Sequence, residues 1–170
     1  MSMDIMTEIS IKIAEATVPD EVDLAPIITD AFVQGGKEKK ELFIKQGDTK
    51  LGAFGPVGGI VLFPWILQGI ATTAPFILQI LRAEQLDKYL SIINGFLGVC
   101  EKLKRKESTN QLPAHLSTPF NKILDTFSSE LKATGLPEEQ CERVVSNVLL
   151  TLLKDPSGSF VFVEKVAESV

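Results

Sequence analysis

The chain has 170 residues, of which 45% are hydrophobic and 23% charged, and this composition excludes a mainly disordered protein. The length suits one well-cored domain and is too short for two full ones. Because the net charge is −5 and the sequence shows no basic face, the composition argues against nucleic acid as a partner.

Three stretches have the pattern of β-strands. "EISIKIAEA" alternates Ile9, Ile11 and Ile13 with polar residues, which predicts a half-buried strand over residues 8–16. "ELFIKQGDTKLGAF" predicts a β-hairpin with Gly47 first in its turn. Near the end of the chain, "SFVFV" is apolar on both faces, which predicts a buried closing strand.

The remaining periodic stretches predict helices. The first helix follows Asp23 as N-cap and ends near Gln34, with Gly35 after it. "AEQLDKYLSIINGFLGVCEKLKRK" has a wide apolar helical face. After a polar linker, Thr118 and Pro119 have the pattern of a helix start, and "LPEEQCERVVSNVLLTLLKD" completes a helical hairpin.

Together these elements predict an α+β fold. We expect a small mixed or antiparallel sheet, made of the N-terminal strand, the central hairpin and the C-terminal strand, packed against about five helices. Since a closing strand must pair with earlier ones, we predict a single domain over residues 1–170. A possible sub-boundary lies in the polar, proline-containing stretch 107–117.

Residues with catalytic or ligand-binding chemistry are few and scattered. His115 is the single histidine and sits in the polar linker, so we expect a surface side chain. Cys100 and Cys141 fall on apolar helical stripes, which is typical of buried thiols. The glycines from Gly52 to Gly59 have neither the dinucleotide nor the P-loop spacing. The sequence therefore predicts no catalytic, metal-binding or cofactor-binding residue and no small-molecule substrate.

The most unusual feature is an uncharged stretch of 31 residues between Lys50 and Arg82. It is long enough to cross a bilayer core, but prolines and glycines divide it into pieces that are each too short. Three interpretations stay open: a buried core, an apolar surface for a partner, and a reversible membrane element. In composition it resembles the glycine-rich, apolar, aromatic-tipped segments of fusion and pore-forming proteins, and the resemblance identifies no family.

We interpret the chain as a non-enzymatic protein-interaction module, an adaptor or effector-associated component, that uses residues 51–81 as core, as partner interface, or as both. The alternative is a membrane-active protein that inserts the same segment or forms a pore with it, and the third hypothesis is a small enzyme of unknown class. The candidate interface or membrane residues are Phe54, Val57, Ile60, Val61, Leu62, Phe63, Trp65 and Ile66.

The expected partner is another protein or a second copy of the chain, with a membrane as the alternative. The first residues, "MSMDIMTEIS", have neither the basic nor the apolar region of a secretory signal, and the two cysteines do not form a disulfide framework. We therefore predict a cytoplasmic protein, with membrane association as the open alternative.

Overall fold

The computed structural model describes residues 4–43, 61–97 and 112–169, and within these ranges the regular elements are helices, with no strand among them. The α-helices are α1 (Ile5–Thr17), α2 (Ala25–Gln34), α3 (Gly36–Leu42), α4 (Phe63–Leu81), α5 (Leu86–Leu97), α6 (Ala114–Lys132), α7 (Glu138–Lys154) and α8 (Pro156–Glu168). A short 3-10 turn, Pro19–Glu21, lies between α1 and α2.

The predicted α+β fold is therefore wrong, and its first strand shows why. Residues 8–16 lie in α1, where Ile9, Ser10, Ile13 and Ala14 are buried together on one helical face. Apolar residues four apart fit both a two-residue and a 3.6-residue period, so the alternating isoleucines did not distinguish a strand from a helix. The buried neighbours Ser10 and Ala14 belong only to the helical pattern.

The predicted closing strand is also wrong, because "SFVFV" lies inside α8. Phe162, Val163 and Val166 are buried on one helical face. The helix begins at Pro156, and the Asp155 carboxylate accepts a hydrogen bond of 3.2 Å from the Gly158 backbone N–H. This N-cap, together with packing of the apolar face, overrides the strand propensity of valine and phenylalanine.

The predicted hairpin falls mostly on residues 44–54, outside the described residues. Its first residues, Glu41 and Leu42, are the end of α3. The described part of the predicted hairpin is thus the end of a helix and the turn that follows it, and the described residues contain no sheet.

The predicted helices agree better with the structure than the predicted strands do. The helix ending at Gln34 is confirmed as α2, and Gly35 follows it with a positive φ of 73°. Its N-cap is Leu24 rather than the predicted Asp23. The helix predicted to start at Pro119 instead begins at Ala114, so the predicted start is wrong and part of the predicted linker is helical.

Helix α4 is the centre of the fold. It packs most extensively against α6 and α8 and also contacts α2, while α1 packs against α7 and α2. Its fully buried side chains include Phe63, Ile66, Leu67 and Ile70. Gly69 lies directly against the ring of Phe127 of α6, so the two helices approach closely at that point. The uncharged part of the sequence thus supplies much of the core.

Candidate interaction surface on helix α4

The candidate interface residues separate into three groups. Phe63 and Ile66 have no exposed surface and belong to the core, so in this fold they cannot contact a partner. Val61, Leu62 and Trp65 are half-buried at the start of α4. Phe54, Val57 and Ile60 lie outside the described residues. Burial therefore differs between Trp65 and Ile66, although they are neighbours in the sequence.

The side of α4 that faces away from the core is a strip without charge, which we call the outward strip. It consists of Trp65, Gln68, Thr72, Pro75, Phe76 and Gln79, of which Thr72, Pro75 and Gln79 are exposed and the others half-buried. Their spacing of three or four residues places them on one side of a helix. The strip therefore combines amide and hydroxyl groups with an aromatic side chain near each end.

The absence of charge distinguishes this strip from the other described helices. Each of them exposes at least one charged residue: Lys12 in α1, Asp30 in α2, Lys37 in α3, Lys88 in α5, Lys122 in α6, Arg143 in α7 and Glu164 in α8. Charged residues normally occupy the solvent face of an amphipathic helix, because they keep favourable hydration there. Helix α4 departs from this rule along its whole length.

An aromatic cluster fixes the start of the outward strip. The ring of Phe43 meets Trp65 edge-on, with centroids 5.1 Å apart, and meets Phe32 at 6.1 Å. The Lys39 ammonium lies 4.4 Å from the Phe32 ring centroid and donates a hydrogen bond of 2.8 Å to the Ser169 carbonyl. Edge-to-face ring pairs and cation–π contacts are favourable, so Trp65 is held in a defined orientation.

A carboxylate distant in sequence caps the start of α4. Glu21 accepts hydrogen bonds from the backbone N–H groups of Leu62, at 3.0 Å, and Phe63, at 2.8 Å. These groups have no acceptor within the helix, and the helix dipole favours negative charge at this end. Burial nevertheless raises the pKa of Glu21 above its ordinary value, while the two N–H bonds oppose that rise.

We expect Glu21→Ala to lower the free energy of unfolding by about 0.5–2 kcal/mol, the usual range for a lost N-cap. Chemical denaturation followed by circular dichroism measures this loss. Asp20→Ala is the matched control, since Asp20 is exposed in the same turn. An equal loss in both variants would contradict the capping role.

The pH dependence of the free energy of unfolding should also reflect the ionisation of Glu21. Because the folded pKa of Glu21 is raised, its stabilising contribution is fully present below the unfolded value of about 4.5 and is lost as pH rises through the folded pKa. Relative to Glu21→Gln, the wild type should therefore lose stability over the interval from about pH 4.5 up through the raised folded pKa. A relative gain over that interval would mean that the N–H bonds outweigh burial.

Within the described ranges, the other residues with reactive side chains are not gathered into a site. His115 is exposed, as expected, and Cys100 lies outside the described residues. Cys141 is buried, its thiol donates a 3.4 Å hydrogen bond to the Leu136 carbonyl, and burial raises its pKa, which disfavours the reactive thiolate. The described ranges contain no group of three or more histidine, cysteine or acidic side chains that could hold a metal ion.

Helix α4 also bears on where the protein acts. It is the one described helix that is long and apolar enough to cross a membrane, and 56% of its most apolar window is buried inside the fold. It is therefore compatible with the core of a water-soluble protein and with a membrane-associated one.

Comparison of the chain with protein-family models, curated proteins and solved structures gives no match in any of the three.

Proposed function

We propose that this protein is a non-enzymatic interaction module that binds a protein partner through the outward strip. The observation that carries the proposal is that α4 has a core-forming inner side and a partly exposed outer side without a charge. The centres of protein interfaces are depleted of charged residues and enriched in aromatic ones. The outward strip has both properties.

The geometry suits docking without rearrangement. The inner side of α4 stays packed on α6 and α8, so a partner on the outer side does not need to open the core. Trp65 and Phe76 are half-buried in the free chain and would lose the rest of their exposed surface on binding. Large aromatic side chains of this kind commonly contribute most of the binding free energy of an interface.

A membrane is the second candidate partner, favoured by the length of α4. Its 19 residues span about 28 Å at the α-helical rise, close to the thickness of a bilayer core of about 30 Å. Insertion would require Phe63 and Ile66 to leave their buried positions. A bilayer would compensate that loss of packing, because lipid tails also shield apolar side chains from water.

Introducing two negative charges on the outward strip tests both candidate partners, the protein and the membrane. Thr72→Glu with Gln79→Glu changes two exposed positions and should leave the melting temperature unchanged. A partner complex or self-association should weaken at least tenfold, roughly the effect of losing one hot-spot contact. The matched control places glutamates at Thr118 and Asn147, exposed on α6 and α7.

Photo-crosslinking can capture the partner directly in the cells that produce the protein. A photo-crosslinking amino acid at Thr72 should give a defined protein adduct there, and the adduct should disappear with Gln79→Glu. The same amino acid at Thr118 should give none. Light scattering during gel filtration then shows whether the partner is a second copy. Liposome flotation that the two glutamates abolish, without a protein adduct, would favour the membrane candidate and overturn the proposal.

A further inference from the structure

A small cleft separates the start of α1 from one side of α2. Its volume is about 110 Å³, and its lining combines polar and apolar side chains. Its polar lining residues include Asp4, Thr29 and Asp30, and its apolar ones are Met6, Pro26 and Val33. The volume is enough for a few non-hydrogen atoms of a side chain and too small for a whole cofactor.

Thr29 has a hydrogen-bonding group that the described residues leave unused. Its side chain is 2% exposed, and its Oγ1 has no hydrogen-bond partner in the described part of the chain. Other helical threonines behave differently: the hydroxyls of Thr17, Thr72, Thr73 and Thr151 each donate to the carbonyl four residues earlier. A buried hydroxyl without a partner costs free energy, so a polar ligand atom in the cleft would be stabilised there.

The charged side chains around the cleft determine which sign of charge a ligand there should carry. Asp4 makes no N-cap hydrogen bond with its side chain, and one carboxylate oxygen of Asp30 accepts from Gln34 at 3.0 Å. Residues 4–34 contain seven acidic residues and one basic residue, a net charge of −6, whereas the whole chain has −5. Two of these carboxylates, Asp4 and Asp30, line the cleft and no basic side chain does, which favours a cationic ligand.

One residue that lines the cleft, Pro26, is followed in α2 by an exposed apolar residue. Ile27 is 68% exposed, more than the other exposed large hydrophobic residue of the described chain, Val161, at 42%. It follows Pro26 directly and precedes Asp30 by about one helical turn. A ligand that extends out of the cleft can therefore bury an apolar group against Ile27.

We propose that this cleft binds the ammonium group of a lysine side chain within a basic peptide segment of a protein partner. The ammonium group has three donors, which suit the carboxylates of Asp4 and Asp30 and the Thr29 hydroxyl. The four-carbon stem of the lysine packs against the apolar lining, and an adjacent apolar residue of the peptide covers Ile27. These residues are distinct from the outward strip, so this site does not rest on the function proposed for α4.

NMR titration of the full-length protein with N-acetyl-lysine amide tests the site. The backbone amide signals of Met6, Thr29 and Asp30 should shift, and the neutral analogue N-acetyl-norleucine amide should leave them unchanged. Asp30→Asn should weaken binding at least about tenfold, since hydrogen bonds between charged groups are the stronger ones. The matched control is Asp23→Asn, which removes an exposed charge from the same acidic region without touching the cleft.

Two further variants separate the parts of the site. Thr29→Val removes only the unpaired hydroxyl, so it should weaken binding while leaving the melting temperature equal or higher. A lysine peptide with a neighbouring leucine should bind more tightly than n-butylammonium, and Ile27→Ser should remove that advantage. Equal binding of the peptide and n-butylammonium would indicate a free amine instead and overturn the peptide assignment. A response to norleucine, or equal weakening by Asp23→Asn and Asp30→Asn, would overturn the site.

Discussion

Replacing Ile66 with aspartate is expected to abolish the cooperative unfolding transition of this protein. Ile66 has no exposed surface and lies on the inner side of α4, which packs against α6 and α8. The substitution removes apolar packing worth about 2–5 kcal/mol and leaves a buried carboxylate without a partner, which costs several kcal/mol more. Together these losses approach the total stability of an ordinary domain, about 5–15 kcal/mol.

Thr72→Asp is the matched control on the same helix. Position 72 is exposed, so the carboxylate of the introduced aspartate stays hydrated and the protein should melt near the wild-type temperature. Circular dichroism melts of the two variants measure the difference directly. If Ile66→Asp kept the wild-type transition, the inner side of α4 would have to be a surface, and the central position of the helix in the fold would be refuted.

The sequence was sufficient to identify α4 as unusual but not to divide it into two sides. Its lack of charge is visible in the composition, whereas the different burial of Trp65 and Ile66 depends on the rotational phase of the helix. A signal for that phase was present: Pro64 occupies the first turn, a preferred proline position, and residues of moderate polarity recur at Gln68, Thr72 and Gln79. The proline was interpreted as a break instead of a helix start.

The strand predictions failed for a related reason. In α1 and α8, β-branched and aromatic residues indicated strands, but their burial follows the helical period. Intrinsic propensities differ by less than about 1 kcal/mol per residue, so packing of a continuous apolar face decides the outcome. The cap that Glu21 provides to α4 has no local signal at all, because more than forty residues separate the acceptor from its donors.

The contact between Gly69 and Phe127 leads to the second large expected effect. Gly69 lies in the middle of α4, where glycine normally costs about 1 kcal/mol relative to alanine. Its presence is explained by the neighbouring helix, because a Cβ at this position would overlap the fully buried ring of Phe127. The absence of a side chain lets the Phe127 ring of α6 lie directly against the backbone of α4.

Gly69→Ala should therefore destabilise the protein by about 1–3 kcal/mol, the usual cost of overpacking, even though alanine is the better helix former. For a chain of this size, each kcal/mol lowers the melting temperature by about 2–4 °C. Gly95→Ala in α5 is the control, since no atom of the described residues lies within 4 Å of the added methyl group there, and it should be neutral or stabilising. Phe127→Leu makes room at the crossing, so the cost of Gly69→Ala should shrink in that background. If Gly69→Ala lowered the free energy of unfolding equally in the wild type and in Phe127→Leu, the alanine would act on α4 alone. The packing of α4 against Phe127 would then not explain the glycine at this position.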